Sequence, residues 1–406
     1  MNEAVASERV HIGFFGRSNV GKSSLMNAVT AQEMSVVSEK RGTTTDPVRK
    51  SMELLPIGPV VMFDTPGLDD DTDLGALRMR TARQTLNRTD LAVLVLDCTV
   101  GMTKADAEIL DLIRAKEIPC VIACNKADAG PAPDTPAGIP SISVSAKTGQ
   151  GIHELKELMA KTIPPEDNSR RVIGDLLTAG DAVILVTPID AAAPKGRLIL
   201  PQVQTLRDIL DSHATAMVCQ VGELQGALER LAAPPRLVVT DSQAFAKVAQ
   251  IVPRDIPLTS FSILFSRYKG YLDGAVRGVH ALDALKDGDI VLISEGCTHH
   301  RQCGDIGTDK LPKLIRKHCG GKDISFEFTS GTGFPDDLKR YAVIVHCGGC
   351  MLNEREMRYR AKCAADQEVP FTNYGIAISH INGILTRCIE PLAQSMNTPT
   401  KGHSIS

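Results

Sequence analysis

Two groups of residues in this sequence have the types and the spacing that chemistry requires, and they lie near opposite ends of the chain. The first is a glycine-rich loop, Gly16 to Ser23, of the form G-x-x-x-x-G-K-S. The second combines a C-x-H set that begins at Cys297 with an H-C-x-x-C set that begins at His346. The loop is typical of phosphate binding, whereas thiol and imidazole groups at these spacings are typical of metal binding. One chain therefore carries both kinds of chemistry.

The glycine-rich loop stands between an apolar run and a helix-compatible run, which is the context that phosphate binding requires. Its backbone N–H groups and the N-terminus of the following helix would surround phosphate oxygens. Lys22 would neutralise charge on the β- and γ-phosphates, and Ser23 would ligate magnesium. The loop residues predicted to contact nucleotide are Gly16, Asn19, Val20, Gly21, Lys22, Ser23 and Ser24.

Later motifs complete a guanine-nucleotide site. An Asp-Thr-Pro-Gly run ends an apolar segment, so Asp64 can reach the magnesium shell while the Gly67 amide senses the γ-phosphate. The Asp128 carboxylate can accept both donors of the guanine N1/N2 edge, a pattern that adenine lacks, so the sequence favours GTP over ATP. The base pocket is predicted from Asn125, Lys126, Asp128, Ser145, Ala146 and Lys147.

These motifs, in this order, resemble the translation-factor-like GTPases, which include tRNA-modifying and ribosome-assembly switches. Leu68 follows the Asp-Thr-Pro-Gly run, where Ras-like switches place a glutamine that orients the attacking water. Intrinsic hydrolysis should therefore be slow unless another group supplies that function. Asn19 resembles the asparagine of members that use a potassium ion as the missing positive charge, although a loop-shaping role for Asn19 is the alternative.

The run Gly42 to Asp46 resembles a switch segment whose threonine closes over magnesium. Register favours Thr44 as the magnesium ligand beside Ser23 and Asp64, with Thr43 and Thr45 left as alternatives. The predicted catalytic residues are Lys22, Asn19, Thr44 and Gly67.

The first part of the chain must position these loops, and its pattern is typical of a doubly wound, mainly parallel α/β fold. Short apolar runs alternate with amphipathic helices over residues 9–163. Proline-rich, polar residues at 163–171 predict a linker. The strands are predicted at Val10–Phe15, Val60–Phe63, Leu91–Leu96, Pro119–Ala123 and Ser141–Val144.

Two more α/β segments are predicted after the linker. The chain is expected to comprise a P-loop GTPase domain at residues 1–165, an α/β connecting domain at 172–260 and an α/β metal-binding domain at 261–406. The connecting domain shows no catalytic constellation, which favours packing or self-association. Its strands are predicted at Ala182–Val186, Ala216–Gln220 and Arg236–Thr240, and those of the last domain include Ile290–Ser294 and Tyr341–Val345.

The candidate metal ligands follow two of these strands. Ile290–Ser294 runs into Cys297, and Tyr341–Val345 runs into His346 and Cys347. Because ligands of open α/β sheets sit where the strands end, the two sets would meet if those strands are neighbours. Three thiols and two imidazoles suit an iron–sulfur cluster, and a zinc site with four closed positions is the alternative.

The order of a GTP switch, a connecting α/β module and a C-x-H…H-C-x-x-C set resembles the HydF family, the GTPase scaffolds that mature [FeFe]-hydrogenase. The resemblance rests on Gly296 to His300 and His346 to Cys350 and covers essentially the whole chain. It implies a [4Fe–4S] cluster whose fourth iron has an exchangeable ligand. The implied cluster residues are Cys297, Cys347 and Cys350, with His299 or His346 near the open position.

The same resemblance implies a cargo and partners. The cluster domain would receive a transient diiron precursor with CO, cyanide and dithiolate-type ligands and deliver it to apo-[FeFe]-hydrogenase. Two radical-SAM maturases would be further partners, and the middle domain would form a homodimer. GTP hydrolysis, with magnesium and potassium, would then act as a switch on partner exchange or release.

Overall composition indicates which classes of partner and which cellular compartment to expect. The net charge of −3 gives no broad electrostatic footprint for nucleic acid, so no nucleic-acid partner is expected. The apolar runs are shorter than a bilayer span and the first residues lack an apolar signal core, which favours a cytoplasmic protein without a membrane partner. The 11 cysteines beside a cytosolic nucleotide motif are expected to be reduced thiols and ligands.

A second class of function fits the nucleotide half equally well. In this alternative the protein is a regulatory GTPase whose iron–sulfur cluster senses redox state and which acts on RNA or ribosomes. The absence of a basic or aromatic-rich tail weighs against it, and so does the rarity of the ligand order. A zinc-stabilised interaction protein is a third reading.

Overall fold

The computed structural model describes residues 9–30, 48–67, 81–164, 170–188, 198–296, 306–331 and 333–392. The chain divides into two compact units, Met1–Glu166 and Asp167–Ser406. Both units contain helices on largely parallel sheets, so the predicted α/β fold class is confirmed. None of the described helices is long and apolar enough to cross a membrane.

The first unit is built on one six-stranded sheet. Its strands are β1 (Val10–Phe15), β2 (Val48–Leu54), β3 (Gly58–Asp64), β4 (Leu91–Asp97), β5 (Cys120–Asn125) and β6 (Ser141–Ser143). They lie in the order β2-β3-β1-β4-β5-β6, and every neighbouring pair is parallel except β2 with β3.

Helices cover both faces of this sheet, which makes the unit doubly wound. Alternate residues of β4 enter two separate apolar clusters, one on each face, and the whole strand is buried. The helices are α1 (Lys22–Thr30), α2 (Lys104–Ala115) and α3 (Ile152–Thr162). The apolar side chains of α1 and α3 pack on one face, and those of α2 and of helical residues 81–86 pack on the other.

The sequence analysis missed β2 because its residues do not form an apolar run. Ser51 and Glu53 are exposed, whereas Leu54 is buried. Such alternation is typical of a strand at a sheet edge, where one face meets solvent. Backbone hydrogen bonds to the antiparallel neighbour β3 hold β2 in the sheet, and the polar side chains of β2 do not indicate this pairing.

The second unit contains two four-stranded sheets, and all their neighbouring strands are parallel. The strands are β7 (Ala182–Val186), β8 (Thr215–Cys219), β9 (Leu237–Thr240), β10 (Leu258–Ser260), β11 (Ile290–Glu295), β12 (Ser325–Ser330), β13 (Val343–His346) and β14 (Phe371–Asn373). The first sheet has the order β10-β9-β7-β8 and the second β12-β11-β13-β14.

Short helices alternate with these strands. They are α4 (Leu200–Asp211), α5 (Leu224–Glu229), α6 (Phe245–Ile251), α7 (Phe261–Tyr268), α8 (Leu272–Gly278), α9 (Leu311–His318), α10 (Glu354–Asp366), α11 (Tyr374–Ile381) and α12 (Leu385–Ile389). Strands β10, β12 and β14 were not predicted; β10 and β14 have only three residues each, too few to show a periodicity.

One apolar cluster runs through both sheets of the second unit. It includes Val239 and Leu258 from the first sheet, Phe265 from α7, and Ile293 and Val345 from the second sheet. The predicted domain boundary between residues 260 and 261 falls between β10 and α7, within this shared core. The exact domain limits stay a prediction.

A side chain near the end of the described chain holds the segment that leads into β10. The Arg387 guanidinium on α12 donates hydrogen bonds to the Ala249 carbonyl of α6 at 3.3 Å, and to the carbonyls of Val252 at 3.0 Å and of two more residues in the loop after α6. The Thr259 hydroxyl of β10 donates to the Cys388 carbonyl at 2.9 Å. The C-terminal part of the unit therefore holds the loop that leads into β10.

We predict that Arg387→Ala loosens both parts of this contact. Loss of the guanidinium leaves several loop carbonyls without their donor, which should lower the free energy of unfolding by about 1–3 kcal/mol. Hydrogen–deuterium exchange should accelerate at residues 245–260 as well as at 385–392. Arg254→Ala, in the same loop but exposed, is the matched control. Faster exchange confined to 385–392 would show that α12 does not support the loop.

Candidate functional site

The glycine-rich loop joins β1 to α1, and the side chain of its lysine folds back onto the loop. The Lys22 ammonium donates to the carbonyls of Gly16 at 3.0 Å and Arg17 at 2.7 Å, and the side chain is 7% exposed. Gly21 has a φ of 92°, and a Cβ there would lie 2.4 Å from Asn125 Nδ2, so only glycine fits. Asn19 is exposed and also has a positive φ, of 62°. The loop is thus held in the curved shape that presents backbone N–H groups.

Two predicted magnesium ligands meet beside this loop. The Ser23 hydroxyl donates to Asp64 Oδ2 at 2.5 Å, because the parallel pairing of β1 with β3 brings the end of β3 to the loop. The second carboxylate oxygen of Asp64 is buried and has no hydrogen-bond partner among the described residues. A buried carboxylate oxygen without a donor suits a cation, so the pair fits magnesium. Thr44 lies outside the described residues.

Gly67 packs directly against the phosphate loop. A Cβ at Gly67 would lie 2.1 Å from the Ser18 hydroxyl and 2.5 Å from Ser18 backbone atoms. The absence of a side chain therefore lets the segment after β3 touch the loop, as a γ-phosphate sensor requires.

The predicted base-pocket residues converge where β5 and β6 end. The Asn125 side-chain amide donates to the Val20 carbonyl at 2.9 Å, and its oxygen accepts from the Ala146 amide at 3.0 Å. The Ser145 hydroxyl donates to Asp128 Oδ1 at 2.7 Å, and this bond lowers the pKa of the exposed carboxyl group. Asn125 therefore ties the base pocket to the phosphate loop.

Lys126 and Lys147 occupy different positions in this pocket. The Lys126 ammonium pairs with Asp97 at 2.6 Å, whereas Lys147 is exposed. Burial raises the pKa of Asp97, but hydrogen bonds from Lys126 and Thr99 outweigh it, so the net shift is downward. Asp97 was missed in the sequence because it is simply the last residue of an apolar strand.

A second unpredicted contact supports the phosphate loop. Arg17 Nε donates to Asp106 Oδ2 at 3.0 Å, and the Asp106 side chain is fully buried. The same carboxylate oxygen accepts from the Thr103 amide and hydroxyl at the start of α2. This ion pair could not be predicted from the sequence, because the x positions of the loop motif carry no residue preference.

The candidate metal residues of the second unit lie where two neighbouring parallel strands end. Ser294 of β11 pairs in register with His346 of β13, and the Cys347 amide donates to the Ser294 carbonyl at 2.8 Å. The strands are thus neighbours, which is the condition under which the two ligand sets were expected to meet. Cys297 and His299 lie outside the described residues, as do the neighbouring Cys303 and Asp305.

Backbone N–H groups surround the Cys347 sulfur. Its Sγ accepts from the amides of Gly296 at 3.1 Å and Gly349 at 3.3 Å. Gly349 has a φ of 62°, and a Cβ there would lie 2.4 Å from Met357 Sδ, so the loop can close only with glycine at this position. N–H groups aimed at sulfur stabilise a thiolate, which is the form that ligates metals.

A buried lysine lies under the same loop. The Lys269 ammonium, 4% exposed, donates to the Gly349 carbonyl and to the Leu352 carbonyl at 2.8 Å. Burial lowers the pKa of Lys269 to about 8, although the nearby thiols of Cys350 and Cys347 oppose the shift. Burial in turn raises the pKa of Cys350, and Lys269 opposes that shift. The loop thus has a cationic support that would favour anionic sulfur.

Both ring nitrogens of His346 have protein partners in this structure, and its predicted place near the open metal position stays a prediction. Arg360 Nη1 lies 3.0 Å from His346 Nε2, which must accept because a guanidinium only donates. The Nδ1–H group then donates to the Cys347 carbonyl at 2.7 Å. Burial and the Arg360 charge lower the pKa of His346 to about 3, so the ring is neutral.

Arg360 is itself fixed by a buried network. The guanidinium donates to Glu356 Oε1 at 2.9 Å and to the Gly331 carbonyl at 2.6 Å, and its side chain is only 1% exposed. The network orients the histidine ring that holds the carbonyl of Cys347. His346 is therefore a positioning residue for the cysteine loop.

Family models match most of the chain in three consecutive segments. Residues 172–270 match the hydrogen maturase F dimerization domain, and residues 273–391 match the hydrogen maturase F tetramerization domain. Residues 11–126 match the 50S ribosome-binding GTPase domain. The chain belongs to the HydF family.

Two curated proteins that are similar to part of this chain are GTPases. The tRNA modification GTPase MnmE of Synechococcus sp. (strain JA-3-3Ab) is 37% identical over 164 residues, which cover 38% of this chain and 34% of MnmE. GTPase Der of Wolinella succinogenes is 32% identical over 188 residues, which cover 42% of this chain and 39% of Der. This chain thus spans little more than a third of the length of these relatives.

Solved structures of GTPases align with part of this HydF-family chain. The G domain of the Thermotoga maritima iron transporter FeoB is 25% identical, with a TM-score of 0.31, over 39% of this chain and 100% of that domain. Aquifex aeolicus Era bound to GDP and aluminium fluoride is 20% identical, with a TM-score of 0.32, over 52% of this chain and 93% of Era.

We predict that His346 makes the stability of iron-free protein depend on pH. The folded pKa of about 3 lies below the unfolded value of 6.5, so the unfolded chain binds the proton first as the pH falls. Stability from this residue is complete above pH 6.5 and is lost as the pH falls from about 6.5 towards 3.

Urea unfolding of wild type and His346→Gln measures this effect. Wild type should lose roughly 1–1.5 kcal/mol more than the variant between about pH 7.5 and 5.5. The glutamine oxygen can still accept from Arg360 but does not titrate. The other histidines are common to both proteins and cancel in the comparison. Equal losses would mean that His346 is protonated in the folded state.

Proposed function

We propose that this HydF-family protein is a GTP-hydrolysing scaffold that assembles the diiron subcluster of the [FeFe]-hydrogenase active site on an iron–sulfur domain. It then transfers that unit to apo-hydrogenase. The observation that carries the proposal is the hydrogen bond from the Gly296 amide to the Cys347 sulfur, 3.1 Å long. Cys297 is the next residue in the sequence, so this contact supports the convergence of both cysteine sets at one sheet edge.

The nucleotide site supports hydrolysis of GTP with magnesium. Ser23 and Asp64 are already joined, and one Asp64 oxygen is buried without a donor, which suits a bound Mg²⁺. Lys22 lies over the loop in reach of phosphate oxygens, and Asp128 is exposed at the base pocket. Potassium, held through Asn19, supplies the additional positive charge at the phosphates.

The cysteine site supports a [4Fe–4S] cluster held by Cys297, Cys347 and Cys350. Two backbone amides on Cys347 and the buried Lys269 ammonium favour anionic sulfur, and such donors are also what tune a cluster's potential. When bound, the cluster would offer one iron without a thiolate for attachment of the diiron precursor. This chain's part is to orient three thiolates and to leave that iron accessible.

A homodimer is the proposed assembly of the connecting region. On α4, Val203 and Leu210 are 46% and 55% exposed and lie seven residues apart, hence on one face. Val218 of β8 is 42% exposed, and β8 is an edge strand of its sheet. An apolar helix face beside a strand edge that no other described strand pairs suits a second copy of the same surface, and the dimerization-domain match covers both elements.

Selection of guanine tests the nucleotide half. Asp128→Asn would place an amide N–H group against the N–H donors of the guanine edge. Because the hydrogen bonds to a charged carboxylate are lost, GTP affinity should fall about 10–100-fold. Xanthosine triphosphate, which offers an acceptor there, should bind better than GTP. Asp134→Asn, an exposed aspartate, is the control. Unaltered GTP affinity, or equal hydrolysis of ATP by the wild type, would remove the base-pocket assignment.

Replacement of a cluster cysteine tests the scaffold half. Cys347→Ala should abolish the iron–sulfur absorbance and hydrogenase activation, because a three-thiolate cluster has no spare ligand. GTP hydrolysis should persist, since the nucleotide residues lie in the other compact unit. Cys363→Ala, a partly buried thiol on α10, is the matched control. Full iron content in Cys347→Ala would refute the ligand assignment.

Charges placed on the exposed α4 face test the dimer. Val203→Glu combined with Leu210→Glu would bury unpaired carboxylates at the interface, which is strongly unfavourable. Light scattering should show half the wild-type assembly mass. Leu55→Glu, at a side chain 65% exposed in the first unit, should leave the mass unchanged. An unaltered mass for the double variant would place the interface elsewhere.

A further inference from the structure

A second group of histidine and aspartate side chains, residue types that can bind metal ions, lies in the second unit on elements separate from the cysteine loop. His280 and Asp283 come from the segment after α8, His318 is the last residue of α9, and His380 lies in the last turn of α11. Neither the nucleotide site nor the cysteine site uses any of these residues. Three imidazoles and one carboxylate therefore meet with no role assigned to them.

The local backbone explains why the first two side chains share one direction. Val279–Leu282 forms a 3-10 turn, in which side chains three residues apart are eclipsed. His280 and Asp283 have that spacing and lie 3.7 Å apart, from Nδ1 to Oδ2. The turn thus presents a nitrogen and an oxygen on one side.

Two helix ends bring the remaining imidazoles to the same carboxylate. His318 Nε2 lies 2.8 Å from Asp283 Oδ1, and His380 Nε2 lies 3.0 and 2.9 Å from the two Asp283 oxygens. The ligand atoms of His280, Asp283 and His380 all lie within 4.8 Å of one another. The rings of His280 and His380 meet edge to face, with their centroids 5.0 Å apart.

We propose that His280, Asp283, His318 and His380 form a binding site for one divalent transition-metal ion of the zinc class. In a tetrahedral zinc site with Zn–N distances of ~2.0–2.1 Å, neighbouring ligand atoms are ~3.3 Å apart. The separations of 2.8 to 3.7 Å between Asp283 oxygens and the three imidazole nitrogens bracket that value. The ligand atoms of His280, Asp283 and His380 already lie within 4.8 Å of one another, and rotation of the His318 ring about the same carboxylate would add the fourth ligand.

The charge environment favours a cation at this position. The carboxyl ends of α9 and α11, which carry partial negative charge, both lead to the site. Burial raises the pKa of Asp283, but hydrogen bonds from His380 and His318 outweigh this effect, so the carboxyl group is ionised. Imidazole nitrogens select zinc, iron(II), cobalt or nickel over magnesium, which prefers oxygen ligands.

Exposure of the four side chains indicates what such an ion would do. His380 and His318 are 15% and 24% exposed, whereas Asp283 and His280 are 48% and 65% exposed. The ion would rest on two half-buried ligands and be closed by two outer ones. It would tie the 3-10 turn to the ends of two helices and so stabilise the second unit.

Metal titration of the full-length chain tests the site. The protein carries Cys347→Ser and Cys350→Ser, so that the cysteine loop does not compete, and is freed of metal with a chelator. Zn²⁺ is then titrated against a chromophoric chelator, and Co²⁺ serves as an optical probe. One equivalent should bind, with cobalt d–d bands but no sulfur-to-cobalt charge transfer, and Zn²⁺ should raise the melting temperature. Mg²⁺ should do neither.

Single substitutions assign the ligands. His318→Gln and His380→Gln should each weaken Zn²⁺ binding by more than the ~10–100-fold that loss of an outer-shell partner costs. Asp283→Asn should also weaken it, while keeping an oxygen for the imidazoles. His153→Gln, an exposed histidine on α3, is the matched control. Far-ultraviolet circular dichroism checks that each variant is folded.

Three results would overturn the proposal. The first is the absence of a stoichiometric Zn²⁺ site, and the second is an affinity that His380→Gln does not change. The third is a cobalt spectrum with sulfur charge transfer, which would assign the ion to thiols. Each of these outcomes leaves the scaffold function intact, because the cysteine loop is tested by its own variants.

Discussion

The parallel pairing of β11 with β13 is the constraint on which the candidate metal centre depends. The two cysteine sets are far apart in the sequence, and in our account the ends of these two strands bring them together. Register places Ser294 beside His346, and the backbone bond from Cys347 to Ser294 fixes how the loop leaves the sheet. A slip of one residue would turn every alternate side chain to the opposite face and direct the sulfur away from Gly296.

Charged residues from other elements hold the cysteine loop that follows β13. Lys269 reaches the loop carbonyls from the end of α7, and Arg360 reaches His346 from α10. Both are buried cations whose partners are mainly carbonyls and neutral nitrogen, with Glu356 as the close carboxylate of Arg360. Buried charge of this kind is costly unless a function or a specific conformation requires it. In our account these two buried cations hold three thiolates in place and balance their negative charge.

In the nucleotide unit, too, the functional loops follow the ends of parallel strands, although the ligand is different. Strand ends again present the functional loops, and one amide side chain, Asn125, joins the base pocket to the phosphate loop. The exposed position of Asp128 and the donorless oxygen of Asp64 are what a bound guanine nucleotide and its magnesium would satisfy. Each compact unit therefore carries the residues of one kind of chemistry.

The sequence predicted the loops well because motifs fix backbone geometry locally. Strand ends, glycine positions and the Ser23–Asp64 pair follow from short-range spacing and from parallel topology. It did not predict β2 or β12, whose polar residues show no apolar run, or the support of His346 by Arg360. It also did not predict the grouping around Asp283, because its members are spread over a hundred residues and meet only through tertiary packing.

Infrared spectroscopy of the purified protein tests the central claim most directly. The protein would be produced together with the two radical-SAM maturases and compared with Cys347→Ala made in the same way. Our account predicts carbonyl and cyanide stretching bands on the wild-type protein, and their disappearance after incubation with apo-hydrogenase as that enzyme becomes active. Protein that carries its iron–sulfur cluster but never shows these bands would contradict a scaffold role and favour a regulatory GTPase.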